Sequence, residues 1–248
     1  MRASVFQLLL AVILLFGGIA SSASGKVLIL DYHTFLGNGT SSMDYNLQEF
    51  GAQLDRMRSL GWQLVSLEAA LAGHLSGDKN IAITIDDGHR TVYDAVLKVL
   101  LPREVPAELF VFPHPIGRSI HYLKVGALRE LMVSGMGVGA HGFYHLKMTA
   151  KAWARNPKSV MNEALWPGDA LLHMTGKTPT LFAYPYGVAA PAAEASVEAA
   201  GYAWGFLADG KIQPVDLTDP KLDHYAIPRT IVYRSGVKAL FQYLKTAP

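Results

Sequence analysis

The chain has 248 residues, 50% of them hydrophobic, 17% charged and none cysteine, with a formal net charge of +2. So apolar a chain with so little net charge is not disordered, and its length suits a single α/β barrel as well as two small domains. Without cysteine there is no disulfide framework, thiolate metal site or cysteine nucleophile, so any metal must be held by His, Asp or Glu. No run of Lys and Arg appears, which leaves no electrostatic case for nucleic acid.

Arg2 is the one charge before Lys26, and residues 5–16 are almost wholly apolar. Small residues follow, with Ser21 and Ala23 placed for cleavage. This pattern predicts a secretory signal over residues 1–23, cut after Ala23, and an exported mature domain over residues 24–248. An uncleaved anchor is the alternative, although the apolar core is shorter than the ~20 residues that a span needs. No later stretch is apolar enough to cross a bilayer, so no stable membrane insertion is expected after cleavage.

Residues 26–31 (KVLILD) read as a buried strand. Leu47, Phe50, Leu54, Met57 and Leu60 recur at helical spacing before Gly61. Short strands follow at residues 64–67 and 81–85, the second running into Asp86-Asp87-Gly88. Val92, Val96, Val99 and Leu100 mark a helix closed by Pro102. Residues 107–112 read as a strand, 128–133 as a helix, and 135–140 as a short strand ending at His141. A helix over 169–175 precedes a strand over 180–184, and a helix over 192–200 precedes a strand over 202–207. Residues 226–232 read as the last strand and 237–244 as the last helix.

This alternation predicts parallel strands joined by helical crossovers, with no linker or repeat. Tyr32-His33, Asp86-Asp87, His141 and Tyr186 all fall just after strand ends. In barrels of this kind those ends share one rim, where active sites lie.

Three constellations could carry chemistry. Asp86 and Asp87 repel unless a cation is near, in which case one can ligate while its neighbour stays free as a base. A solvated Asp-Gly turn is the bland alternative. His141 and His145 stand at i and i+4, so a helical turn there would aim both at one metal. Such a pair also arises by chance. Two imidazoles and one carboxylate describe a catalytic divalent site, and Asp87, His141 and His145 are the most economical set. Tyr184-Pro185-Tyr186-Gly187 closes an aromatic strand with a turn that could line a sugar site or could simply pack.

Other signals carry less. The glycines at 135, 137 and 139 lack the strand-to-helix order of a dinucleotide site, and no Gly-x-Ser-x-Gly elbow is present. His74, His121 and His173 read as surface groups. His89 and His114, near strand ends, are candidates for a substrate groove.

Taken together, these residues resemble the polysaccharide deacetylases of the NodB-homology class, the fourth carbohydrate esterase family. Thr84 to Gly88 resembles the first motif, Thr-Phe-Asp-Asp-Gly. His141 to His145 resembles the second, His-(Ser/Thr)-x-x-His. Phe182 to Gly187 resembles the third, which ends Pro-Tyr-Gly, and Pro106 to Val111 resembles the strand between the first two. The opening Tyr32-His33 and the Phe-Ala-Tyr-Pro-Tyr-Gly form of the third motif are similar to the poly-β-1,6-N-acetylglucosamine deacetylase branch.

The resemblance implies a single-domain distorted (β/α)7 barrel over residues 24–248 that removes acetyl groups from an acetylated polysaccharide. It implies a divalent ion on Asp87, His141 and His145, zinc first, with cobalt, nickel or manganese as alternatives. Asp86 would be the base, and His33 the acid in place of a late Leu-x-His, which His224 does not reproduce. Tyr184, Pro185 and Tyr186 would meet substrate, and the backbone N–H near Tyr186 would hold the oxyanion. A monomer in the periplasm, cell envelope or medium is expected, with no organic cofactor. Gly142 stands where the family has Ser or Thr to brace the metal loop. Ala183 stands where it has Arg to orient the base, so another residue must do so. Peptidoglycan, chitin or acetylated xylan are rival substrates, and a non-catalytic glycan-binding barrel is the rival of another class.

Overall fold

The computed structural model describes residues 25–39 and 41–247. The expected leader, residues 1–23, lies outside the described residues. Strands β1 (Lys26–Tyr32), β2 (Gln63–Val65), β3 (Asn80–Ile85), β4 (Ala107–Val111), β5 (Gly137–Ala140), β6 (Leu181–Ala183), β7 (Trp204–Phe206), β8 (Val215–Asp216) and β9 (Thr230–Ile231) form one curled sheet. Its order is β7-β6-β5-β4-β3-β1-β8, with β2 also on β3 and β9 also on β1. Neighbours from β1 through β7 pair in parallel, as the alternation predicts. The architecture is the distorted (β/α)7 barrel expected from the resemblance.

The helices are α1 (Leu47–Ser59), α2 (Leu67–Leu71), α3 (Thr91–Ala95), α4 (Val125–Val133), α5 (Ala150–Arg155), α6 (Pro157–Thr175), α7 (Pro191–Ala199) and α8 (Val237–Thr246). Helix α1 starts at a capping box, with Asn46 accepting from Glu49 N and Glu49 accepting in turn from Asn46 N. It buries Phe50, Leu54 and Met57, the apolar face seen in the sequence.

Strand alternation separates two cores. Leu28, Leu30, Ile81, Ile83, Leu109, Val111, Phe182 and Tyr184 face the helices. Val27, Ile29, Ala82, Phe110, Ala183, Phe206 and Ile227 fill the barrel. Gly139 of β5 is required there, because a Cβ would lie 2.5 Å from the Phe110 ring.

Several expectations need correction. The segment from His141 to His145 is a loop and not a helical turn, because Gly142 (φ +71°) and His145 (φ +62°) take left-handed conformations that coil it. The expected strand over 226–232 contracts to β9; around it, single bridges tie Ile227 to Phe206 and Thr230 to Asp209. That segment closes the barrel between β7 and β1. Strand β8 pairs antiparallel with β1 and was not anticipated, nor were the one-turn helices α2 and α5. The helix expected over 169–175 begins at Pro157 and carries Pro167 inside it. None of the described helices is long and apolar enough to cross a membrane.

Candidate active site

The carboxyl ends of β1, β3, β5 and β6 converge on a cavity of about 320 Å³ lined by Asp31, His33, Asp86, Asp87, His141, His145 and Tyr186, among others. The strand ends predicted to share a rim do share it.

Beyond β3 the chain turns sharply. Asp87 takes φ +73°, as does Gly88, where a Cβ would press against Val111. The turn sends the two carboxylates in different directions. Asp86 points into the barrel and is 2% exposed. Asp87 points across the rim, its Oδ1 3.5 Å from His141 Nε2 and 3.2 Å from His145 Nε2.

The two Nε2 atoms lie 3.2 Å apart. His141 Nδ1 is 2.8 Å from the Ala183 carbonyl and must donate to it, which leaves Nε2 as a lone pair facing the rim. Asp87 Oδ1 is buried without a hydrogen-bond partner among the described residues. Three donor atoms of Asp87, His141 and His145 thus fall within 4.8 Å of one another. An orphaned carboxylate oxygen beside two imidazole nitrogens is the donor set that a divalent ion needs, so these residues fit one. Burial pushes the Asp87 carboxyl up, but the adjacent imidazoles of His141 and His145 outweigh it and hold Asp87 well below the usual carboxylate range.

Asp86 has another partner, which sequence reasoning missed. Arg229, 1% exposed, donates from Nη1 and Nη2 to the two oxygens of Asp86 at 2.7 Å each, and Nη1 also reaches Thr84 Oγ1 at 2.9 Å. This bidentate, charge-assisted pair fixes the carboxylate plane. Burial raises the Asp86 pKa, yet Arg229, with smaller help from His141, brings the net shift below its ordinary value. The guanidinium enters from the closing segment, where Ile227 and Arg229 alternate inward, and lies over Phe110. It holds the Asp86 carboxylate, the task that the resemblance gives to an arginine at the position of Ala183.

Glu163 of α6 performs the bracing that Gly142 cannot. Its buried carboxylate accepts from the backbone N–H groups of Phe143, Tyr144 and Leu146 at 3.0–3.2 Å. A Cβ at residue 142 would lie 2.5 Å from Glu163 Oε2 and 2.9 Å from Pro185 Cγ. The glycine is therefore the condition for this brace.

Four non-glycine residues in the described chain have positive φ: Asp87, His145, Tyr186 and, away from the site, Glu104. Each such conformation costs about 1–3 kcal/mol and persists where the surroundings over-determine it. Tyr186 is 55% exposed at the rim, its ring 4.6 Å from that of His145.

His33 also lines the cavity, its Nδ1 3.7 Å from Asp31 Oδ1, and neither atom has a hydrogen-bond partner among the described residues. Burial, moderated by Arg229, pushes the Asp31 carboxyl up to about 6. Tyr184 and Pro185 need correction as substrate contacts. Tyr184 is fully buried against Phe182, since β6 turns residues 182 and 184 toward the helices, and Pro185 packs behind Gly142. His89 is held by Thr91 Oγ1 at 2.9 Å, His114 packs on Tyr144, and His224 stacks on Trp204 at the amino end of β7, away from the rim.

A family model described as polysaccharide deacetylase matches residues 75–205. The chain belongs to the polysaccharide deacetylase family. This deacetylase shares its fold with IcaB from Ammonifex degensii at 22% identity and a TM-score of 0.76, over 89% of this chain and 97% of that one. It is similar to a de-N-acetylase from Aggregatibacter actinomycetemcomitans at 14% identity and TM-score 0.72, over 86% and 99%. It is also similar to the deacetylase PplD from Streptococcus pyogenes, solved with acetate, at 18% identity and TM-score 0.74, over 89% and 99%. No curated protein matches its sequence. The family model covers Asp86, Asp87, His141, His145 and Glu163, while His33 and Arg229 lie outside it. The chain is thus a hydrolase of the polysaccharide-deacetylating kind.

Proposed function

We propose that this deacetylase is a metal-dependent N-deacetylase, exported to the periplasm, cell envelope or medium, acting on N-acetylated amino sugars of a polysaccharide there, N-acetylglucosamine polymers first. One observation carries the reading: adjacent carboxylates are partnered differently, Asp86 by Arg229 and Asp87 by the histidine pair. That difference supports reading Asp86 as the base and Asp87 as the ligand.

Asp87, His141 and His145 would hold the ion, zinc by preference for this donor set. A divalent ion bound there supplies a Lewis acid and lowers the pKa of water. Asp86 accepts the proton of the attacking water on a carboxylate oxygen while Arg229 holds that carboxylate in place. The Tyr186 backbone N–H donates to the developing oxyanion. His33 delivers a proton to the departing nitrogen, since an amide must leave as an amine. The exposed Tyr186 ring offers an apolar face to the sugar.

The test is acetate release from poly-N-acetylglucosamine, chitin, peptidoglycan and acetylated xylan, with and without chelator. Release from the first, abolished by chelator and restored by zinc, is expected. Chelator-resistant release would refute metal dependence, preference for another polymer would refute the substrate, and no release from any would favour a binding barrel.

A further inference from the structure

The same barrel has a second opening at its base. A cavity of about 560 Å³ lies among the amino ends of β4 to β7, with Glu108, Glu68, Met136, Thr180 and Trp204 in its wall. Glu108 follows the inward alternation of Phe110 and stands 8% exposed inside the barrel mouth. A Cβ on Gly137 would overlap the Glu108 carboxylate, so the neighbouring strand is cut away to admit it.

Among the described residues Glu108 makes no hydrogen bond and no ion pair, and its one electrostatic neighbour there is the carboxylate of Glu68. Lys177 also lines the cavity yet pairs with neither acid. Burial, with Glu68 adding to it, pushes the Glu108 carboxyl up to about 8. A buried carboxyl with no donor is an expensive arrangement unless a cationic or donor group visits it.

The walls select the class of visitor. A divalent metal ion needs about six oxygen ligands; beside the two acids the wall adds only Thr175, Thr178 and Thr180 as oxygen-bearing side chains, with Lys177 on the same wall, and the rest is largely methionine, leucine and indole surface. An organic ammonium suits it better: a cation for Glu108, hydroxyls for Thr180, and a body that lies against the Trp204 ring.

We propose that the base cavity is a binding site for a small hydroxylated primary ammonium compound, of amino-sugar type, held by Glu108 against Trp204. The assignment does not depend on the catalytic reading, and its site is at the opposite end of the barrel from Asp86.

The methionines allow a direct test, because Met136 lines this cavity and Met43 lines the catalytic one. Protein labelled with ¹³C at its methionine methyls would be titrated with glucosamine at millimolar concentration, and separately with N-acetylglucosamine, which lacks the charge. The Met136 signal is expected to move with glucosamine and not with N-acetylglucosamine, and Glu108→Gln is expected to lose the response while its circular dichroism is unchanged. If Glu108→Gln does not fold, Trp204→Leu replaces it and is expected to weaken the response at least tenfold. A Met136 signal unmoved by glucosamine, one moved equally by both sugars, or one unaffected in the variant would overturn the proposal.

Discussion

Two buried carboxylates face into this barrel from opposite ends, and their surroundings drive them opposite ways. Asp86, at the carboxyl rim, is held below its ordinary pKa by Arg229 and, to a lesser degree, His141. Glu108, at the base, is pushed up to about 8 by burial, with the like charge of Glu68 adding to it. Burial raises both; what differs is a guanidinium delivered by the closing segment to one end and to neither carboxylate of the other. In the proposed mechanism Asp86 must be ionised before substrate arrives, which would make the arginine as much a requirement of the rim as the aspartate it holds.

The comparison is broken most strongly at Arg229. Arg229→Met removes the cation and leaves Asp86 in a site like that of Glu108. Breaking a buried pair from one side costs about 3–5 kcal/mol. Acetate release is expected to fall on the order of 10²-fold, the scale of general-base loss. Chemical denaturation and steady-state rates measure both, and a variant with wild-type activity would show that the base needs no such partner.

A smaller and more selective effect is expected at His33. His33→Ala should fold, bind metal and lose most amide turnover, on the order of 10²-fold. An aryl acetate, with a good leaving group, should suffer far less. Equal losses on both substrates would assign His33 to positioning and not to protonation.

The smallest effect on catalysis belongs to the base. The folded pKa of Glu108 lies above its ordinary 4.5, so the folded chain holds that proton more tightly. Wild-type stability therefore falls as pH rises from about 4.5 to about 8. Glu108→Gln is expected to remove that part of the slope, raising the melting temperature at pH 8 relative to wild type more than at pH 4.5, with deacetylation unchanged. Parallel melting curves against pH would show that Glu108 has a partner the account lacks.

What could be read from the sequence follows the distance between cooperating residues. Asp86-Asp87-Gly88, His141 with His145, and Tyr32-His33 are local motifs at strand ends, so both the rim and the parallel order were legible. Arg229 acts across 143 residues, and Glu163 across about 20. Neither belongs to a motif, although a lone charge at residue 229 within an apolar segment was a usable signal. Tyr184 was misread because residues of a strand alternate: with Ala183 inside the barrel, Tyr184 had to face the helices. The one-turn helices α2 and α5 were too short to display a period.

The division of labour between the adjacent aspartates is the core of the account, and one paired measurement reaches it. Asp86→Asn and Asp87→Asn would be purified in parallel, their metal content measured by elemental analysis and their acetate release by steady-state assay. Asp86→Asn is expected to retain about one divalent ion while losing 10²-fold or more of kcat. Asp87→Asn is expected to lose the ion and its activity together. Equal metal loss in both variants, or full metal in Asp87→Asn, would contradict the assignment of one aspartate as base and the other as ligand.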